Sequence, residues 1–247
     1  MIFQTVDAWQ QSKNIQHLFL HLGCGSKYWD GWCNIDAFPL DENDTHRGVD
    51  IKPDVWANIF HIPVNSSSVS IISTQHVLEH FHKHQTIELI SYFYDLLLPG
   101  GLLVTEMPDL ERVTRLFASG IRPKYSNYEQ FSRKDIVSSQ FYGASWESND
   151  NYYPYHKYVW QRREFCSCLV QAGFEIVIAT GATVSHVPFR DMAVVARKPH
   201  CQKCTNKELQ VIEKNILANY GNLMNRSLRQ LKSLSRMLAI SILPPNS

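Results

Sequence analysis

No stretch of the 247-residue chain approaches the roughly eighteen consecutive apolar residues that a membrane-spanning helix requires. The first residues, MIFQTVDAWQQSKN, carry polar groups where a secretory signal needs a continuous apolar core. Charge of one sign is not in excess. Lys and Arg total 24 against 23 Asp and Glu, a formal net charge of +1, so the chain as a whole does not advertise nucleic-acid binding. Nor is it short of apolar residues: 44% hydrophobic and 19% charged residues describe a globular chain, not a disordered one. Its six cysteines are not needed as staples, because a chain of this length can bury a substantial core without bridges. A reducing, cytoplasmic location is therefore expected. There is no internal repeat.

The apolar runs that are present alternate between two periods. HLFLHL (17–22), the short CNID (33–36), SVSIIS (68–73), LLVTEM (102–107), FEIVIAT (174–180) and MAVVARK (192–198) read as strands. Between them, apolar positions from about His76 to Leu97 repeat as in a helix that PGG (99–101) ends. PDLERVTRLFASG (108–120), with Asp109 as N-cap, and WQRREFCSCLVQAGF (160–174), stopped by Gly173, read as two further helices. Strands alternating with helices predict an α/β domain on a largely parallel sheet over residues 1–198. Residues 121–159 break the pattern with an aromatic-rich insertion, including Tyr125, Tyr128, Trp146, Tyr152 and Tyr153, that suits an acceptor cover or an irregular core. Residues 199–247 form a basic tail. From Arg197 to Arg236, nine Lys or Arg less two Glu leave a net charge of +7.

The chemistry concentrates in FLHLGCGSKYWDGWCNID (19–36). Gly23 and Gly25 end the first strand, where an open α/β sheet lets backbone approach a ligand. No GKS or GKT follows, so this is not a mononucleotide P-loop. The dinucleotide fingerprint also fails: the next glycine is Gly31, and the acid Asp36 comes much sooner than the ~20 residues expected. SKYWDGW offers at most one or two helical turns, too little to cradle a pyrophosphate. A nucleoside ligand without a pyrophosphate fits better, with Asp36 either a ribose acceptor or a solvent-facing turn residue.

LHLGCGSKYWDGWCNID (20–36), ISTQHVLEHF (72–81), LLLPGGLLVTEMPDL (96–110), LVQAGFE (169–175) and MAVVARK (192–198), in that order, resemble class I S-adenosylmethionine-dependent methyltransferases. The nearest branch is the type 11-like group with an LGCG…GW.N.D opening and an HVLEHF segment. The resemblance implies a Rossmann-like fold and S-adenosyl-L-methionine as cofactor. It implies that Gly23, Cys24 and Gly25 flank the amino-acid part of the cofactor and that Asp36 holds the ribose. Asn58 stands where the family usually has an aspartate near the adenine amine, and Ser70 replaces another usual aspartate. Gln75 and His76 would open the segment lining the transfer site.

His76 is the candidate catalytic base, since a neutral imidazole can take a proton from a hydroxyl as the methyl group arrives. HVLEH (76–80) also spells the H-x-x-E-H of inverted zincins, and on a helix its three polar residues would share one face. Together with the distant His156 it could instead serve a methyltransferase that uses a metal. The expectation is that Glu79 and His80 hydrogen-bond neighbouring loops and that no metal is held. CQKC (201–204) is half of a zinc knuckle without its second pair. The expected activity is methyl transfer to a hydroxyl or carboxyl of a small molecule or glycan, with nucleic acid not expected as partner. RNA or protein methylation, or a degraded cofactor-binding regulator, are the alternatives. In the tail, Leu228, Leu231, Leu234 and Leu238 form a stripe between basic residues that suits a peripheral membrane surface, a protein partner or the domain itself.

Overall fold

The computed structural model describes residues 2–37, 51–120, 132–143, 155–180 and 190–200. The basic tail from residue 201, with its CQKC and leucine stripe, and most of the aromatic insertion, with Tyr125, Tyr128, Trp146, Tyr152 and Tyr153, lie outside the described residues. The elements are α1 (Val6–Lys13), β1 (Leu18–Leu22), β2 (Cys33–Asp36), β3 (Val55–Trp56), β4 (Val69–Gln75), α2 (Lys83–Leu96), β5 (Leu97–Pro108), α3 (Leu110–Ala118), α4 (Arg133–Tyr142), α5 (Arg162–Gln171), β6 (Glu175–Thr180) and β7 (Asp191–Arg197). One sheet has the order β3-β2-β1-β4-β5-β7-β6. From β3 to β5 the neighbours are parallel, while β7 runs antiparallel to both β5 and β6. This is the mostly parallel, Rossmann-like sheet expected from the alternation of strands and helices.

β1 and β4 are buried throughout, as central parallel strands must be. Strand alternation sends Leu18, Leu20, Leu22 and Ile72 into a core with α1, α2 and α5, through Trp9, Leu89, Phe93, Phe165 and Leu169. Phe19 and Ile71 point to the opposite face, where Trp29 and Trp32 cover them. Both tryptophans come from the β1–β2 connection, which forms no helix. They pack edge to face at 5.0 Å, and Trp32 also meets Phe19 at 5.3 Å.

A buried amide replaces the missing helix. Asn34 Oδ1 accepts from Trp29 N (2.9 Å) and faces His21 Nδ1 (3.1 Å), while its Nδ2 donates to the carbonyls of Trp29 and Trp32, both at 3.0 Å. Asp54 closes the network: it accepts from Asn34 N at 2.9 Å and from the Tyr28 hydroxyl at 2.9 Å. The loop so held begins at Gly23, whose φ of +64° favours glycine. A Cβ there would meet Val77 Cγ2 at 2.5 Å, so β1 and the turn after β4 approach as closely as backbone allows.

Two strand and helix boundaries differ from the sequence expectation. The helix after β4 begins at Lys83 instead of His76, with His82 as N-cap and Gln85 closing a capping box. Pro99–Gly101 lies inside β5, whose pairing with β4 shifts register there, so PGG makes an irregular strand entry, not a separate turn. α1, the two-residue β3 and α4 carried too little period to be read in advance.

Two predictions arise from this packing. Burial holds the His21 imidazole, stacked on Trp29 at 4.0 Å, well below its ordinary 6.5, at about 4. The unfolded chain therefore takes up the proton first, so stability is intact above pH 6.5 and falls as pH drops toward 4. Urea unfolding at pH 7.5 and pH 5 should differ by about 2 kcal/mol from this residue, and His21→Gln should remove that slope; an unchanged slope would contradict it. Gly23→Ala should cost about 2 kcal/mol or more, combining the positive φ with the clash. Adding Val77→Ala should restore the steric part alone, read as a positive coupling in a double-mutant cycle.

Candidate cofactor and transfer site

The carboxyl ends of β1, β2, β3 and β4 lie side by side, and they bring Gly23, Cys24, Gly25, Asp36, Asn58 and Gln75 to one rim of the sheet. In such sheets this rim, at the point where strand order reverses beside β1, is where ligands bind. Gly23 N and Cys24 N both donate to Ile35 O, at 2.9 and 3.2 Å, which closes the loop onto β2. Gly25 has φ +51°, and a Cβ there would meet nothing within 4 Å. The loop's backbone thus borders open space.

Asp36 braces that loop. Its Oδ2 accepts from Gly25 N at 2.6 Å and its Oδ1 from Ala37 N at 2.8 Å. The Cys24 thiol hydrogen-bonds the same carboxylate, and of its about four acceptor positions one remains for a further donor such as a ribose hydroxyl. Cys24 is buried, and burial together with the Asp36 carboxylate pushes its thiol well above the ordinary range. It stays protonated and contributes packing and backbone, not nucleophilic chemistry. Asn58 is exposed just beyond β3, with Oδ1 accepting from Phe60 N at 3.0 Å. Gln75 ends β4 with its Oε1 buried and, among the described residues, without a hydrogen-bond partner. A glycine position with no neighbour among the described residues, a carboxylate with acceptor capacity left and an unsatisfied buried acceptor on one rim fit a nucleoside that carries an amino-acid tail.

Beyond Gln75 the chain does not continue as a helix. His76 has φ +54°, uncommon for a residue with a Cβ, and its N–H donates to Glu106 O at 2.9 Å. A single 3-10 turn, Leu78–His80, follows. The H-x-x-E-H residues therefore do not share one helical face, which removes the geometry on which the competing zincin reading depended. Instead His76 Nδ1 faces Glu79 Oε1 at 3.1 Å and its Nε2 faces Asp191 Oδ2 at 3.2 Å. Arg190 also grips Asp191, with Nη2 2.8 Å from Oδ2, and lies 3.2 Å from His76 Nε2.

These contacts set the charge states. Burial lowers the His76 pKa, but hydrogen bonds to Asp191 and Glu79 outweigh it and raise the ring to about 9. Burial works against both carboxylates too, yet the same imidazolium brings each to about 2. The two carboxylates favour a proton on the His76 ring, while the Arg190 guanidinium 3.2 Å from Nε2 stands against it. The neutral base read from the sequence would require that ring to release a proton two carboxylates hold. Asp191, Arg190 and Glu106 were not read as site residues. Their only signal was charge inside or beside otherwise apolar strands. Asp109 caps α3 as expected, its Oδ1 accepting from Glu111 N at 3.1 Å. Glu79, His80 and His156, the set weighed from the sequence as a metal alternative, bring ligand atoms within 4.8 Å of one another.

The family model described as "Methyltransferase domain" matches residues 15–179. Among solved structures, the chain is similar to a SAM-dependent methyltransferase from Methanosarcina mazei at 14% identity and TM-score 0.45, covering 77% of this chain and 97% of that one. An S-adenosylmethionine-dependent methyltransferase from Mesorhizobium loti aligns at 14% identity and TM-score 0.45, over 73% and 90%. The 1,6-didemethyltoxoflavin-N1-methyltransferase of Burkholderia thailandensis, with bound S-adenosylhomocysteine, aligns at 11% identity and TM-score 0.44, over 78% and 76%. A search of the curated proteins returns no match. The matched span runs from before β1 into β6 and takes in the glycine loop, Asp36 and the turn after β4, and on that match the chain belongs to the methyltransferase-domain family, with S-adenosylmethionine as the cofactor its membership implies.

Proposed function

We propose that this protein transfers a methyl group from S-adenosylmethionine to a hydroxyl or carboxyl oxygen of a small molecule or glycan. The observation that supports it most is the rim where Asp36 holds Gly25 N at 2.6 Å, beside a Gly25 Cα with no neighbour among the described residues. The bound cofactor supplies a sulfonium-activated methyl group, and in-line displacement by an acceptor oxygen needs mainly positioning. In this reading Gly23, Cys24 and Gly25 offer backbone to the amino-acid part, Asp36 accepts from a ribose hydroxyl, and Asn58 sits near the adenine amine. Gln75 Oε1 accepts from the ammonium group. His76 acts as a positioning residue: its two ring nitrogens join Glu79 after β4 to Asp191 of β7, and it shapes the acceptor side.

Two predictions test this. Calorimetric titration should show binding of S-adenosylmethionine, and Asp36→Ala should weaken it by about 10- to 100-fold through the loss of a charge-assisted hydrogen bond. Absence of binding at millimolar donor would sink the reading, and unchanged affinity in the variant would remove the ribose role. His76→Ala leaves Glu79 and Asp191 without the ring they share, so it should destabilise by about 2–3 kcal/mol. It should lower turnover of labelled donor on a fractionated pool of small molecules and glycans while donor affinity changes by less than about twofold. Turnover confined to an RNA or protein fraction would transfer the assignment to those acceptors.

A further inference from the structure

We propose that Glu79, His80 and His156 bind a divalent transition-metal ion beside the turn that follows β4. Ligand atoms of the three lie within 4.8 Å of one another, close enough for small side-chain rotations to bring them around one ion. Two independent features prepare them. Glu79 is 1% exposed, and its Oε2 has no hydrogen-bond partner among the described residues, a buried acceptor that a cation would satisfy. Its other oxygen, Oε1, is held by His76 Nδ1 at 3.1 Å, an orienting contact of the kind metal-bound carboxylates keep. His80 donates from Nδ1 to the Tyr155 carbonyl at 3.2 Å, which fixes its tautomer and leaves the Nε2 lone pair as a ligand.

Backbone holds the two halves together. Glu79 O accepts from Lys157 N at 2.8 Å and from Tyr158 N at 3.3 Å, so the segment bearing His156 is stitched to the turn bearing the other two ligands. The rings of His80 and His156 meet edge to face at 5.1 Å. Two imidazoles and one carboxylate suit zinc or a neighbouring transition metal, whereas magnesium and calcium prefer all-oxygen sets. Three protein ligands leave coordination positions open, the arrangement of a reactive site and not of a purely structural one.

The chemical use of the ion rests on the methyl-transfer reading. An acceptor hydroxyl at an open position would lose its proton to solvent near neutral pH, as metal-bound water does. Its oxygen would then form the bond to the methyl carbon as the carbon–sulfur bond breaks, with that electron pair remaining on sulfur.

The test is a titration of the full-length, chelator-treated protein with cobalt(II), read by its visible absorption, and with zinc(II) by competition. One equivalent should bind. His156→Asn and His80→Gln, each with an unchanged circular dichroism spectrum, should weaken binding at least about tenfold. Cys201→Ser/Cys204→Ser should retain the equivalent. Donor affinity in His156→Asn should match the unaltered protein, so loss of the metal with donor binding intact separates this inference from the assignment of the cofactor. No cobalt binding up to millimolar concentration, equal binding by both folded histidine variants, or loss of the equivalent with the cysteine pair would each overturn it.

Discussion

The side-chain amide of Asn34 sits wholly buried beneath the glycine loop and supplies the hydrogen bonds that a crossover helix would otherwise have made for itself. A parallel β1–β2 pair needs a connection that crosses the sheet. Here that connection is irregular, and its peptide groups face an apolar layer of Trp29, Trp32 and Phe19. Unpaired backbone in such a layer is costly. Asn34 and Asp54 absorb that cost and hold both tryptophans over the sheet beside the loop that begins at Gly23.

The second constraint lies across the rim. The chain leaving β4 must turn away at once, because Val77 packs against the bare Cα of Gly23. His76 takes up the left-handed conformation that this requires, and its ring, held between Glu79 and Asp191, keeps it there. The left-handed backbone of His76 and the contacts of its ring thus support one another. The result joins β4 to β7, distant in sequence, along one wall of the site. Glu79 links this wall to the 155–158 segment through its backbone carbonyl and to His76 through its side chain.

The order of strands and helices was legible because each carries a strong period or a clear stop signal. Val69–Gln75 and Asp191–Arg197 are apolar runs that can satisfy their backbone only in a sheet, and Gly173, with φ +98°, ends its helix where the sequence says it should. The glycine loop and Asp36 were legible because conformational freedom and an early acid are local properties. The state of His76 was not. Nothing in HVLEH indicates that Asp191, 115 positions later, would stand 3.2 Å from its ring. The period that extended the helix back to His76 was also misleading: Val77 and Leu78 are apolar because they pack under the loop and into the core, not because they lie on a helical face.

By itself, then, the amino-acid order determined the alternation of strands and helices and the glycine turn and early acid at the ends of β1 and β2, since all of these depend on residues within a few positions of each other. Only the tertiary structure decided which groups carry charge and which meet. Protonation of His76, the unsatisfied oxygen of Glu79 and the approach of His156 to His80 all arise between segments that the sheet brings together. Electrostatic free energy depends on distance and burial, and neither is encoded in the spacing of residues along the chain.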